Sequence, residues 1–209
     1  MATPRRIGAA DSKTRAQLLD AAERLMLDQG YAAVTSRKLA NAAGLKPQLV
    51  HYYFRTMDEL FLELFRRRAE AGLARHTAAL AGGQPLHLLW ELSAHPELAA
   101  LNIEFTALAN HRKAVREEIA AYAERFRELN LAAIARVLER NRLWPGEIPP
   151  VVLLLAMTGL SVMLGMESIL GITRGHAETV KFVQLHLDQL ERPTTATKGS
   201  ESAASAAVD

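Results

Sequence analysis

Apolar residues recur along this chain mostly at the spacing of helices, and alternation in twos, the mark of half-buried strands, is nearly absent. Leu18, Leu19, Ala22, Leu25 and Met26 fall on one side of a first helix, with Thr14 and Gln17 at capping-box spacing near its start and Gly30 as a stop. A shorter helix fits Thr35 to Ala43 and ends at Gly44, and Pro47 suits the first turn of a third because the amide it lacks has no intrahelical partner there. Thr56-Met-Asp-Glu59 is a second capping box and opens a helix predicted to run to about Leu80, where Ala81-Gly-Gly-Gln-Pro85 breaks the pattern. Further helices are predicted at about 86–94 and 96–110, then a long one at 113–141 with Val115, Ile119, Tyr122, Phe126, Leu129, Ala133 and Val137 on one stripe. The prolines and glycine of "LWPGEIPP" predict a loop, followed by helices near 149–171 and 176–191. These elements predict an all-α chain of about nine helices without internal repeats. Its expected parts are a three-helix head with a basic N-terminal arm (1–57), a larger helical body (58–192) and a small, polar, disordered tail (193–209).

Composition narrows the class. With 49% hydrophobic and 23% charged residues in 209, the chain reads as an ordinary globular protein. The absence of cysteine excludes disulfides, thiolate zinc sites and cysteine nucleophiles and is compatible with a reducing cytoplasm. The basic N-terminus lacks the apolar segment of an export signal, so a cytoplasmic location is expected. From Ile148 to Met166 no charge interrupts 19 residues, close to the roughly 20 that span a bilayer. Pro149, Pro150, the many small residues and Glu167 favour a buried helix over a membrane span there. The formal net charge of +2 is uneven: residues 1–57 carry +5, residues 58–192 carry −2 and the tail −1, which makes the head the candidate surface for a polyanion.

Two short helices joined by a glycine turn describe any helical hairpin, but this pair has the pattern of a helix-turn-helix. Ala40 is the small residue needed where the helices cross, Gly44 supplies the turn, and Leu39, Ala43, Leu45 and Val50 close a small core between them. Each residue turns a helix by about 100°. With Val50 inward, Phe54 also points to the core, Tyr53 lies between core and surface, and Gln48 and Tyr52 point outward, with Leu49 and His51 on the flanks. Gln48 and Tyr52 are therefore the leading candidates for base contact, with His51 and Leu49 next, because glutamine can pair with adenine and apolar side chains can touch a thymine methyl. Lys46, Arg55, Arg37, Ser36 and the phenols are better placed for phosphates. Arg5, Arg6, Lys13 and Arg15 form an arm that can follow a groove or the backbone, or, for Arg5 and Arg6, remain a solvated tail.

The stretch from Thr14 to Leu64, with "LLDAAERL", "GYAAVTSRKLANAAGL" and an aromatic run ending in Phe54 before the fourth helix, resembles the N-terminal domain of TetR/AcrR-type transcriptional regulators. The resemblance covers about a quarter of the chain. It implies DNA-binding roles for Thr35, Ser36 and Arg37 and for Lys46, Gln48, Leu49, His51, Tyr52 and Tyr53. It also implies a homodimer and a small-molecule effector sensed by the body. Three positions depart from the family pattern: His51 replaces a common tyrosine, Leu49 a small or hydroxyl residue, and Met57 a lysine near the start of the fourth helix. Arg55 can replace that lost phosphate contact.

In the penultimate helix Thr158, Ser161, Gly165, Ser168 and Ile172 repeat at spacings of three and four, as do Val180, Val183, Leu187 and Leu190 in the last. The two stripes predict a four-helix dimer interface, and a dimeric reader predicts a near-palindromic double-stranded operator. Phe65, Trp90, Phe105, Leu108, Tyr122, Phe126, Met157, Leu160 and Met163 are candidate lining for a mostly apolar effector, with Asn102, Glu104 and Asn110 as polar points; core packing is the competing reading of each. His87 and Glu91 share a helical face but lack further ligands, and no phosphate-binding glycine loop or nucleophile-base arrangement occurs, so no metal, cofactor or enzymatic activity is expected. His95 before Pro96 reads as a helix-start residue and His111 as solvated. The alternative function is a helical ligand-binding or protein-interaction module that does not use DNA.

Overall fold

The computed structural model describes residues 13–94, 96–141 and 149–192. Among them are nine α-helices: α1 (Lys13–Gln29), α2 (Ser36–Ala42), α3 (Pro47–Tyr53), α4 (Met57–Leu80), α5 (Pro85–Ser93), α6 (Pro96–His111), α7 (Lys113–Arg140), α8 (Pro150–Ile169) and α9 (His176–Glu191). A short 3₁₀ turn, Tyr31–Ala33, joins α1 to α2. The expected tail, Arg5, Arg6, His95 and most of the "LWPGEIPP" loop lie outside the described residues.

Local chemistry sets most boundaries. Gly30 (φ 80°) and Gly44 (φ 67°) take the left-handed conformation that stops α1 and turns the chain from α2 to α3. The Thr56 hydroxyl accepts from the Glu59 amide at 3.1 Å, while the Glu59 carboxylate reaches one residue beyond the expected box and accepts from the Arg55 amide at 2.8 Å. The capping-box reading of Thr14 and Gln17 gives way to a tertiary bond: the Gln17 amide donates to the Ala43 carbonyl at 2.7 Å, tying α1 to the end of α2.

Two cores form. The first joins Leu18, Leu25 and Met26 of α1, Leu39 and Ala40 of α2, Val50 and Phe54 around α3, Leu60, Phe61 and Leu64 of α4, and Leu101, Phe105, Leu108 and Val115 from α6 and α7. The head core therefore continues past residue 57 into the body. A second core joins Leu86, Leu89 and Trp90 of α5, Ile134, Val137 and Leu138 of α7, Leu154 and Met157 of α8, and Val183 and Leu187 of α9. The 24 residues of α4 make a rod of about 36 Å at 1.5 Å per residue. The consecutive arginines 66–68 leave that rod in different directions, as residues about 100° apart must. Arg66 makes a two-point pair with Glu118 of α7 at 2.6 and 2.8 Å, and Arg67 and Arg68 turn to α1.

Helix α8 is buried on one face alone within the single chain. It is long and apolar enough, by length and composition, to cross a membrane, yet 22% of its apolar window is buried. Leu154, Met157, Ser161 and Gly165 face the protein's own core. Val152, Leu155, Val162, Met163, Met166 and Ile169 are exposed, as are Phe182 and Leu185 on α9. The predicted dimer stripes shift accordingly. Ser161, Gly165, Val183 and Leu187 are buried within the chain and Val180 and Leu190 are half-buried, whereas Thr158, Ser168 and Ile172 are exposed. Gly165 is the point where α8 meets α6, since a Cβ there would lie 2.7 Å from the Ala99 Cβ. The hydroxyls of Thr158, Ser161 and Ser168 donate to carbonyls four residues back at 2.7–2.8 Å, so small polar residues sit on either face without a tertiary partner.

Candidate nucleic-acid interface

The helix-turn-helix is built as its spacing predicts. Thr35 caps α2, its hydroxyl accepting from the Lys38 amide at 3.3 Å, and Pro47 occupies the first turn of α3. Leu39, Ala40, Ala43, Val50 and Phe54 are buried, and half-buried Leu45 packs against them. Removing Val50 from water, at about 25 cal/mol per Å², contributes on the order of 2 kcal/mol to holding α3 against α2.

That packing fixes the outward face of α3. Gln48, His51 and Tyr52 are exposed, Leu49 and Tyr53 half-buried. Tyr52 is 40% exposed and its ring meets Tyr53 edge to face at 5.0 Å. Tyr53 packs on the head core, so it buttresses Tyr52 as well as bordering the surface. Thr35, Arg37, Lys46 and Arg55 are exposed around this face and Ser36 is half-exposed. The surface thus carries three cations, an amide, an imidazole and a phenol at the end of the molecule where the sequence is most basic.

Several contacts bind this head to the body. Arg15 does not join a free basic arm: its guanidinium pairs with Glu63 of α4 and lies over the Phe54 ring at 5.2 Å. Glu104 of α6, expected as a pocket polar group, accepts from the Tyr31 amide at 2.6 Å at the turn after α1. Arg112, between α6 and α7, pairs with Asp58 in the first turn of α4. Asp20 and Glu23 of α1 take Arg67 and Arg68 of α4: Asp20–Arg67 at 2.6 Å, Glu23–Arg67 at 3.4 Å and Glu23–Arg68 at 3.1 Å.

The expected pocket residues do not gather around one space. Phe65, Phe105 and Tyr122 form an edge-to-face cluster with centroids 5.2 and 5.6 Å apart, and Leu108 is fully buried beside the head core. Trp90 and Met157 belong to the second core, and Leu160, Met163 and Asn102 are exposed, as is Asn110. Phe126 lies against Gly72, where a Cβ would come within 3.0 Å of its ring, and against His76, centroids 5.0 Å apart. A cleft of about 470 Å³ opens between α4, α5 and α6, lined among the described residues by Arg68, Arg75, Ala79, Leu88, Glu91, Leu92 and Leu98. None of these is among the residues expected to line a pocket, although Arg68, Arg75 and Ala79 share one face of α4 at spacings of seven and four. A volume of that size holds a small molecule.

Glu70, Tyr122 and His76 are held in contacts within the body that shift their pKa values. Hydrogen bonds from Arg125 and then Tyr122 hold the Glu70 carboxyl below the ordinary range, and the bond to Glu70 raises the Tyr122 phenol. Burial lowers His76, partly opposed by its bond to the Gly72 carbonyl at 3.0 Å. His87 does not point with Glu91 to a shared ion: its Nδ1 meets the buried Glu191 carboxylate at 2.5 Å and its Nε2 lies 3.2 Å from Asp188. Glu191 also accepts from the Leu86 amide at 2.6 Å, so it closes the first turn of α5 onto the end of α9.

Comparison with known proteins assigns the head. Residues 18–64 match the family model described as bacterial regulatory proteins, tetR family. The chain is 27% identical over 186 residues to the HTH-type transcriptional regulator BetI of Rhizobium meliloti, covering 83% of this chain and 89% of that protein. It is 28% identical over 133 residues to the HTH-type transcriptional repressor AcnR of Corynebacterium diphtheriae, covering 62% and 66%. The fold is similar to a transcriptional regulator of Saccharomonospora viridis solved in complex with choline (TM-score 0.71, 21% identity, 86% and 95% covered). It is also similar to a TetR-family regulator from Rhodococcus (TM-score 0.67, 16% identity, 87% and 100% covered). With the helix-turn-helix geometry, residues 18–64 form a DNA-binding head of the tetR type, and the chain as a whole is similar to transcriptional regulators rather than to enzymes.

Proposed function

We propose that this protein is a cytoplasmic homodimeric repressor that leaves a near-palindromic operator when a small molecule enters its body. The outward face of α3 supports the recognition role: Gln48, His51 and Tyr52 stand clear of the head core, with Lys46, Arg37 and Arg55 around them. Gln48 and Tyr52 read base edges, with His51 and Leu49 beside them. Thr35, Ser36, Arg37, Lys46, Tyr53 and Arg55 hold the phosphates and set the register.

The dimer reading rests on the apolar face of α8 and α9. Leu155, Val162, Met163, Met166 and Phe182 lie on it, each 43–60% exposed. An apolar face of this length needs a cover. A second copy supplies one, because a two-fold interface needs the same patch on both partners and no charge interrupts α8 before Glu167. Two heads held in this way read half-sites about 34–36 Å apart or a multiple of it. The choline seen in the Saccharomonospora regulator supports a body that admits a small molecule. The continuous core from head to body supports coupling between the two.

Selection of bound sequences from a random duplex pool tests the reading. Recovery of a two-fold symmetric site is expected, with Gln48→Ala and Tyr52→Ala relaxing its sequence preference and Arg37→Ala and Arg55→Ala weakening binding to all sequences and flattening its salt dependence. Enrichment of no sequence would instead favour the module that does not use DNA.

A further inference from the structure

The cleft between α4, α5 and α6 has a charge pattern that the effector reading alone does not use. Among the described residues its walls are apolar at Ala79, Leu88, Leu92 and Leu98 and carry two guanidinium groups against one carboxylate, Glu91. Arg75 makes no ion pair among the described residues, and neither does Glu91. Arg68 is different: it lines the cleft and at the same time binds Glu23 of α1 at 3.1 Å, with the two side chains 30% and 20% exposed. One residue therefore faces both the ligand space and the helix that carries the DNA-binding head.

We infer that the cleft takes a carboxylate with an apolar chain, and that the ligand's carboxylate competes with Glu23 for Arg68. The inference rests on the effector reading above and names the ligand class and the switch. Arg68 and Arg75 lie two turns apart on one face of α4, about 10.5 Å along the axis, and both side chains are long and flexible enough to converge on one headgroup between them. Arginine suits this role because its planar fork binds a carboxylate at two points. The chain of the ligand covers Leu88, Leu92 and Leu98, which are otherwise half-exposed.

The consequence for the head follows from what Glu23 holds. Glu23 receives Arg67 at 3.4 Å and Arg68 at 3.1 Å, whereas Asp20 keeps its own contact with Arg67. Drawing Arg68 into the cleft removes the shorter contact from Glu23 and leaves α1 joined to this part of α4 through Arg67 alone. Ligand and the closed α1–α4 contact then oppose each other, so each must weaken the other by the same factor.

The test uses decanoate as the probe, with decan-1-ol and decyltrimethylammonium as neutral and cationic partners of equal chain length, on the full chain and its selected operator. Operator binding by the unliganded protein is measured first; its failure would refute the regulator reading, independently of the ligand arms. Decanoate is expected to reduce operator affinity at least tenfold while the alcohol and the cation do not. Arg75→Ala, which removes no ion pair among the described residues, is expected to abolish the response without changing unliganded operator binding, and Arg68→Ala to abolish it as well. Glu23→Gln separates the switch from simple binding: decanoate should bind more tightly by calorimetry, since its competitor is gone, yet change operator affinity less. Release by decyltrimethylammonium in place of decanoate, a wild-type response in Arg75→Ala, or unchanged decanoate affinity in Glu23→Gln would each overturn the inference.

Discussion

The contact between α6 and α8 can be tested by moving one methyl group from one helix to the other. The sequence pattern places Gly165 against a partner subunit, but its place in the fold is against Ala99, with a Cβ only 2.7 Å from the Ala99 Cβ. Gly165→Ala has two opposing effects. Alanine in a helix interior is favoured over glycine by about 1 kcal/mol. Against this, ordinary carbon contact is at least several tenths of an ångström longer, and the obstacle is a Cβ fixed to backbone, so two helices must separate at a cost of about 1–3 kcal/mol. Ala99→Gly alone loses about 1 kcal/mol of helix propensity. In the double variant the methyl has moved from one helix to the other and the clash is gone. The propensity effects cancel in a double-mutant cycle, which isolates a coupling of about 1–3 kcal/mol favouring the swapped pair. Urea denaturation at fixed protein concentration reads the cycle, because the stability of the proposed dimer would depend on concentration. Melting offers a second measure, at roughly 2–4 °C per kcal/mol for a chain of this size. Additivity within about 0.5 kcal/mol would refute the close approach. A change confined to dimer dissociation would return Gly165 to the interface.

Other substitutions address the remaining features. Phe182→Asp places a charge on a side chain 60% exposed; sedimentation should find monomers at micromolar concentration with a normally folded chain, and persistence of the dimer would remove α9 from the interface. Glu191→Ala strips the buried carboxylate from both His87 and the Leu86 amide, at a cost of about 1–3 kcal/mol for the hydrogen-bonding groups left unsatisfied, and Glu191→Gln should cost less because its amide oxygen still accepts from Leu86. Burial lowers the His76 pKa, so the unfolded chain binds a proton, near its ordinary value of about 6.5, that the folded chain refuses. Stability should therefore fall as pH drops below about 6.5 and stop falling through this group below the folded value. His76→Gln should flatten that part of the profile, and an unchanged slope between pH 7.5 and 5 would show that His76 titrates alike in both states.

Local chemistry explains why so much of the head was legible. A glycine with positive φ, a threonine cap and a proline in a first turn act within a few residues, and so Gly30, Gly44, Pro47 and Thr56 mark helix limits in any tertiary setting. The outward direction of Gln48 and Tyr52 follows from the same economy, because once Val50 is inward the helical angle leaves them one place to go. Gln17 shows the limit: spacing allowed a local cap, and a carbonyl brought near by α2 won the amide instead.

What the sequence by itself determined, then, is the order and length of the helices, the small core of the helix-turn-helix and the basic side of the head. Only the tertiary structure decided which apolar stripe of α8 faces its own domain, because both stripes are apolar and periodicity carries no sign. It also decided that large aromatic side chains such as Phe105 and Trp90 are buried in two separate cores, while a cleft opens between α4, α5 and α6 with arginines at its edge. Periodicity describes one helix at a time, whereas a cavity and the Arg68–Glu23 contact depend on how far apart neighbouring helices are held.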